Sequence, residues 1–177
     1  MDFLNAIKER MPEHAKDIRL NLDGVIARSS LAPEDAVAVA LAAAFAARSQ
    51  PLVQVFKAAV RPAEGHAALT AAALMAMNNV WYPFVEMAAD DELKTMRPEL
   101  RMNAYATHGG VARAKFEAYA LAASIVGKCH FCVESHYALL KKEGLTTQQL
   151  RDIGRIAAVV NAAALVIAAE SGAPLAA

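Results

Sequence analysis

The stretch Glu117 to His136, EAYALAASIVGKCHFCVESH, constrains this chain more than any other. Its opening part is rich in Ala and Leu and free of proline, as a helix requires, and Gly127 and Lys128 then interrupt it. A glycine commonly sits just past a helix end. The pattern predicts two helices folded back as an antiparallel hairpin, the first over Ala114 to Val126 and the second opened by Cys129. At about 1.5 Å per residue, Glu117 lies about 15 Å before the turn and His136 about 13 Å after it. The two side chains are therefore expected to come level across the hairpin.

Both cysteines of the chain, Cys129 and Cys132, lie in this stretch as a C-x-x-C pair, each placed to become the other's disulfide partner. Cys129 opens the second helix, close to unpaired N–H groups and the positive end of the helix dipole. Lys128 adds a cation beside it, and both favour a thiolate. Cys132 and His136 are four residues apart and share one helical face, so His136 can touch the Cys132 sulfur. A carboxylate facing an imidazole that faces a thiol is the arrangement of a base-activated nucleophile. Glu117 would orient and polarise His136, and His136 would take the Cys132 proton. The thiolate could then attack an electrophilic sulfur or a peroxide oxygen. Attack on peroxide gives a sulfenic acid, which Cys129, expected to be the more exposed thiol, would condense into a disulfide.

The pattern of Glu, eleven residues, C-x-x-C, three residues and His, inside an Ala-rich chain of this size, closely resembles alkyl hydroperoxide reductase D, of the carboxymuconolactone decarboxylase-like superfamily. The resemblance extends to the opening segment MPEHAKDIRLNL and to ALMAMNNVWY before the hairpin. It implies an all-α, helical two-repeat fold and a lipoyl-dependent peroxidase and disulfide reductase, with no bound cofactor. It also implies a homotrimer that draws electrons from dihydrolipoamide on a lipoylated acyltransferase, reduces alkyl hydroperoxides and recycles a partner peroxiredoxin. By matching positions, Glu117 and His136 would be the proton relay, Cys132 the thiol it deprotonates and Cys129 the disulfide partner. One position departs from the pattern: members often carry His immediately before the second cysteine, where Phe131 stands here, and His130 lies one place earlier.

The C-x-x-C pair admits other readings. Two neighbouring core cysteines would need neither Glu117 nor His136. Zinc could draw on Cys129, Cys132, His136 and Glu117, although structural zinc favours thiolate and imidazole sets without Glu. Haem attachment of the C-x-x-C-H type fails because Val133 follows Cys132. A thioredoxin-like setting would need a strand where Phe116 to Val126 reads as helix. A thiol-independent decarboxylase relative on the same fold is the reading from a different class.

A length of 177 residues suits one domain, here with a thiol-free half (about 1–98) and a catalytic half (about 99–177) as weak internal repeats. The order of helix, polar break, short helix, break and long Ala-rich helix occurs at about 34–81 and again at about 112–169. The SQP break before LVQVF then corresponds to GKCHFC. Hydrophobic residues make up 56% of the chain and aromatics only 6%, so the core must be built from small and aliphatic side chains, which favours packing between subunits. With 18 basic and 18 acidic residues, no basic patch argues for nucleic acid or a membrane surface. The N-terminus lacks the apolar core of a signal peptide, and the apolar runs are read as broken before about 18 residues, too short for a span. Two cysteines in a reactive spacing fit a reducing cytoplasm.

Further expectations concern individual elements. Helices are expected over 3–10 and 13–22, the second closed by Asp23 and Gly24. Another should run from Ser30–Glu34 to Arg48, and one from His66 to Trp81 after breaks at Pro62 and Gly65. Tyr82 to Leu100 reads as a helix end, a loop and a short connector. The last helix, capped by Thr146, is expected to end at Gly172 and Pro174. His14 and His66 read as surface or capping residues, Met75, Met77 and Trp81 as core or subunit interface, and Asn78 and Asn79 as interface hydrogen-bonders. His108 stands near enough in sequence to line the site.

Overall fold

A computed structural model describes residues 1–171. Among these residues there are ten α-helices and no strand. The chain opens with a 3₁₀ turn and α1 (Asn5–Lys8), followed by α2 (Lys16–Ala27). Three helices come next: α3 (Pro33–Ala46), α4 (Gln50–Ala59) and α5 (Pro62–Ala88). The short helices α6 (Asp91–Thr95) and α7 (Asn103–Ala106) then lead to α8 (Arg113–Gly127), α9 (His130–Lys142) and α10 (Thr147–Glu170).

The core follows from composition. Every residue from Ala36 to Ala44 of α3 and from Phe116 to Ser124 of α8 is buried. A helix apolar on all sides must be surrounded by others, and α3 and α8 lie against each other with α5 and α10 packed on both. The AVAVA run is therefore the middle of a buried helix, and its short alternation carries no strand. Alanine lets the helix axes approach closely, and the larger Phe56, Met75, Phe116, Leu140 and Ile153 fill the remaining space. A half-buried charge network fastens the same helices. Lys115 of α8 pairs with Glu64 of α5 at 2.8 Å and with Asp35 of α3 at 2.8 Å, and the Tyr119 hydroxyl donates to Glu64 at 2.6 Å.

Several boundaries differ from those read in the sequence. Asp23 and Gly24 lie inside α2, because Asp23 is the partner of Lys8 on α1 and does not end a helix. Pro62 is the first residue of α5, where its missing N–H is no loss, and Gly65 is buried in the first turns. The same helix continues through Pro83 to Ala88. A proline inside a helix loses the bond to the carbonyl four residues back and crowds that carbonyl, but the turn beyond it still carries an apolar edge in which Trp81 packs on Phe84. The expectation that no helix has the makings of a membrane span is also corrected: α10 is long and apolar enough for one. Its charges, Arg151, Asp152, Arg155 and Glu170, gather at its ends. In this structure α10 instead buries Leu150, Ile153, Ile156, Val160 and Ile167 against α2, α3 and α8. Thr146 caps it in a reciprocal capping box with Gln149. Gly172 and Pro174 lie outside the described residues.

Candidate active site

The α8–α9 corner is made by two residues with different tasks. Lys128, not Gly127, takes the left-handed conformation at the end of α8, with φ 55°. Gly127 is the last helical residue, and it is needed for space. A Cβ there would stand 2.0 Å from Asn79 Nδ2, and that Nδ2 donates to the Ala123 carbonyl at 3.1 Å. Asn79 thus clamps α5 onto the end of α8.

Cys129 follows in extended conformation as the N-cap of α9. Its N–H donates to the Ser124 carbonyl at 3.3 Å, and its sulfur accepts the Cys132 N–H at 3.2 Å. The structure joins Cys129 and Cys132 in a disulfide with Cα atoms 5.3 Å apart. The exposure of the pair reverses the expectation from sequence. Cys129 is fully buried, its sulfur 3.8 Å from the Asn78 carbonyl oxygen, because α5 closes over the corner. Cys132, one turn further along, is 3% exposed and lies on the wall of a cavity of about 390 Å³. Cys132 is the sulfur that faces the cavity.

His136 lines the same cavity, one turn beyond Cys132. Its Nδ1 lies 2.6 Å from Glu117 Oε2, so the two residues do meet across the hairpin, and both are buried. The second Glu117 oxygen accepts the hydroxyl of Tyr105 from α7. Burial works to raise the Glu117 pKa, but the hydrogen bonds from His136 and Tyr105 outweigh it and hold the carboxyl below its ordinary value. Burial and the adjacent carboxylate push the Tyr105 phenol well above its own ordinary value, so it remains a donor. A carboxylate with donors on both oxygens places a proton on His136 Nδ1. The other ring nitrogen, Nε2, meets Met75 Sδ of α5 at 3.1 Å. Cys132 and Nε2 therefore share a cavity, while the contact that Nε2 makes in the disulfide form is with Met75.

Of four α5 side chains at this site, the sequence marks Asn78 and Asn79 as interface hydrogen-bonders and Met75 as core or interface without setting them beside the thiols, and gives Tyr82 no role. Met75 touches His136, Asn78 touches Cys129, Asn79 holds the end of α8, and the Tyr82 ring stacks on Phe131 at 4.2 Å. Their numbers run i, i+3, i+4 and i+7, one face of a helix. The spacing was visible, but a mixed Met, Asn and Tyr stripe does not announce itself as apolar or charged. Tyr105 had no signal at all, since it comes from a four-residue helix.

The histidines outside the relay take lesser places. His14 and His66 are exposed. His108 packs edge-on against Tyr105 and Phe116 and does not line the cavity. His130 is exposed, 3.3 Å from Glu86. Cys129, Cys132, His136 and Glu117 do not converge as zinc ligands. Both Glu117 oxygens are taken by Tyr105 and His136, and among the described residues no group of three or more His, Cys, Asp or Glu is placed to hold a metal ion.

Comparison with known proteins gives one consistent result. Residues 91–171 match the model of the carboxymuconolactone decarboxylase family. Over nearly its whole length the chain is 40% identical to the alkyl hydroperoxide reductase AhpD of Rhodopseudomonas palustris (strain BisB18), covering 96% of this chain and 94% of that protein. The like-named protein of Maricaulis maris (strain MCS10) is 41% identical, covering 95% of this chain and 99% of its own. That of Anaeromyxobacter dehalogenans (strain 2CP-C) is 42% identical, covering 100% and 98%.

Proposed function

The chain belongs to the alkyl hydroperoxide reductase AhpD family, with its all-α carboxymuconolactone decarboxylase-like fold, and from that premise we propose that it is an antioxidant dithiol peroxidase and disulfide reductase. The observation that carries this reading is the chain of contacts from Tyr105 through Glu117 to His136, ending beside a cavity whose wall holds Cys132.

In the reduced protein, His136 Nε2 takes the Cys132 proton while Glu117 and Tyr105 steady the ring. The Cys132 thiolate attacks the terminal oxygen of a hydroperoxide. The O–O bond breaks, Cys132 becomes a sulfenic acid, and the alkoxide takes the proton back from His136 to leave as alcohol. The Cys129 thiol then condenses with the sulfenic acid, forming the disulfide and releasing water. Two electrons from a dithiol reopen the pair. Dihydrolipoamide on a lipoylated acyltransferase is the donor we assign, and an oxidised peroxiredoxin is a second acceptor for the reduced pair. The burial of Cys129 supports its part as resolving thiol, shielded from peroxide behind Cys132.

The same reading places the protein in the cytoplasm as a homotrimer. Val80, Phe84 and Met87 in the last turns of α5 and Met96 just after α6 are large apolar side chains left exposed, which supports an association surface there. It also treats the chain as one domain of two related halves, α3–α4–α5 and α8–α9–α10. Supporting this, Arg48 and Lys128 both take positive φ at the corners, and Ser49 stands where Cys129 does, its N–H returned to the Ala44 carbonyl as that of Cys129 is to Ser124.

The test is a mass-resolved thiol titration of the reduced protein before and after one equivalent of an organic hydroperoxide, with zinc measured on the same sample. Loss of both thiols to a Cys129–Cys132 bond, reversed by dihydrolipoamide, is expected. Unreactive thiols, or a stoichiometric metal that protects them, would sink the peroxidase reading and favour the metal-binding or thiol-independent relative.

A further inference from the structure

Met75 is fully buried and carries no charge, yet its sulfur stands 3.1 Å from Nε2 of His136, the nitrogen assigned to proton transfer. Nδ1 holds a proton toward the Glu117 carboxylate. A neutral ring would then turn a bare lone pair toward a thioether, which has lone pairs of its own and no hydrogen to give. A close contact of that kind repels. With a proton on Nε2 the same contact becomes an N–H donor facing a weak sulfur acceptor. The amide of Asn78 also approaches Met75 Sδ, at 3.9 Å, so the sulfur is held among donors.

We propose that Met75 is a positioning residue: while the Cys129–Cys132 disulfide is closed, its thioether receives Nε2–H of His136 and parks the ring protonated, ready for the sulfur that is released when the disulfide opens. In the disulfide form the titratable groups facing the ring are Glu117 on α8 and Tyr105 on α7, while Cys132 on α9 is held in the disulfide and carries no proton. Tyr82 of α5 lies on the same cavity wall, and the Arg113 cation on α8 acts on both Glu117 and Tyr105. None of them offers Nε2 an acceptor in the disulfide form; Met75 does.

The proposal rests on the dithiol reductase reading and adds a step to it. A thiolate of the reductant attacks Cys132 Sγ, the sulfur on the cavity wall, forming a mixed disulfide and releasing Cys129 as a thiolate. The second thiol of the reductant attacks its own sulfur in that mixed disulfide, closing the reductant's disulfide and expelling Cys132 as a thiolate. Nε2 turns from Met75 to Cys132 and delivers its proton. Two electrons have passed to the protein; of the dithiol's two protons one ends on Cys129 and the other is released to solvent, replacing the proton that Nε2 took up after the disulfide closed and has now given to Cys132, so the ring is left neutral as the base for the next turnover.

The experiment uses the full-length oxidised protein, with nitrogen NMR of His136 as a function of pH and stopped-flow reduction by dihydrolipoamide. Met75→Leu keeps the volume and removes the acceptor; Met75→Gln supplies a stronger one. For Met75→Leu, the Nε2-bound proton should be lost at lower pH than in the unaltered protein and reduction at pH 8 should slow about fivefold, the effect of one weak hydrogen bond. For Met75→Gln the Nε2 proton should persist to higher pH. A merely structural methionine would not move the two variants in opposite directions. If Nε2 is unprotonated at pH 7 in the unaltered oxidised protein, or if Met75→Leu leaves its titration unchanged, the proposal is overturned. The NMR readout needs no turnover, so that failure is separate from a failure of the enzyme to be reduced by the dithiol at all.

Discussion

Replacing Gly127 by Ala tests whether the α8–α9 corner is held by close approach or by chain flexibility. The added Cβ would stand 2.0 Å from Nδ2, 2.3 Å from Cγ and 2.8 Å from Cβ of Asn79. Relief requires that Asn79 swing away, which breaks its bond to the Ala123 carbonyl. Overpacking costs about 1–3 kcal/mol and the lost hydrogen bond about 0.5–1.5 kcal/mol. Against these, alanine in place of a helical glycine returns about 1 kcal/mol. The net destabilisation should be near 2 kcal/mol, read as a lower urea midpoint at unchanged slope. The decisive variant is the double substitution. Asn79→Ala removes the two nearest atoms and leaves only its Cβ in the way, so Gly127→Ala on that background should cost at least about 1 kcal/mol less than it does alone. That is a coupling well outside the about 0.3–0.5 kcal/mol scatter of independent sites. Additive effects would refute the clamp, and would mean that glycine is present for its backbone freedom.

Two further perturbations address the relay and the acid limit. Glu117→Gln keeps the shape but turns a charge-assisted bond to His136 into a neutral one, a loss of about 1 kcal/mol, so alkylation of Cys132 at pH 7 should slow about fivefold. Tyr105→Phe removes one of the donors that hold the Glu117 pKa down, so the acid limb of the same profile should move to higher pH; an unshifted limb would remove Tyr105 from the relay. Asp152 accepts from the Ser30 N–H at 2.9 Å and hydroxyl at 2.8 Å and pairs with Arg151 and Arg155. Burial works to raise its pKa, but these partners together bring it from 3.8 to about 2. Its contribution, about 2 kcal/mol, is present above the unfolded value of 3.8 and fades as the pH falls to about 2. The stability gap between the unaltered protein and Asp152→Asn, followed by denaturant titration, should close over that window, and a gap independent of pH would contradict the assignment.

The parts of the fold legible in the sequence were those decided within a few residues. Pro33 with Glu34 and Asp35 marks the start of α3, Thr146 with Gln149 marks α10, and helical rise alone brings Glu117 level with His136. What local pattern misjudged was decided by contacts between distant segments. Gly24 and Pro83 look like terminators until Lys8 is seen to hold Asp23 and Trp81 to pack on Phe84. The relative exposure of the two thiols could not be read from their order along α9, because it is α5 that covers Cys129. Met75 shares a helical spacing with Asn78, Asn79 and Tyr82 but is assigned to the site only by packing, and Tyr105, on a four-residue helix, has no spacing to single it out.

The composition of the chain and the chemistry of its site are connected by one requirement. Glu117 is a fully buried carboxylate, and an isolated buried charge is costly unless its hydrogen-bonding capacity is met. Here it is met by His136 from the facing helix at 2.6 Å and by the Tyr105 hydroxyl from a third. Such a bond across a helix pair needs backbones that approach closely and do not shift. Alanine on the inner face of α8 permits the approach, and the Asn79 side chain seated against Gly127 limits movement at the corner. The stripe of Met75, Asn78, Asn79 and Tyr82 brings α5 into the same arrangement, so a helix without thiols fixes the depth of one cysteine and the environment of the histidine. A C-x-x-C on an exposed helix would have the same spacing but neither a buried carboxylate to orient a base nor a wall to set one sulfur behind the other. The small-residue core is therefore a condition of the site's geometry as well as of the fold.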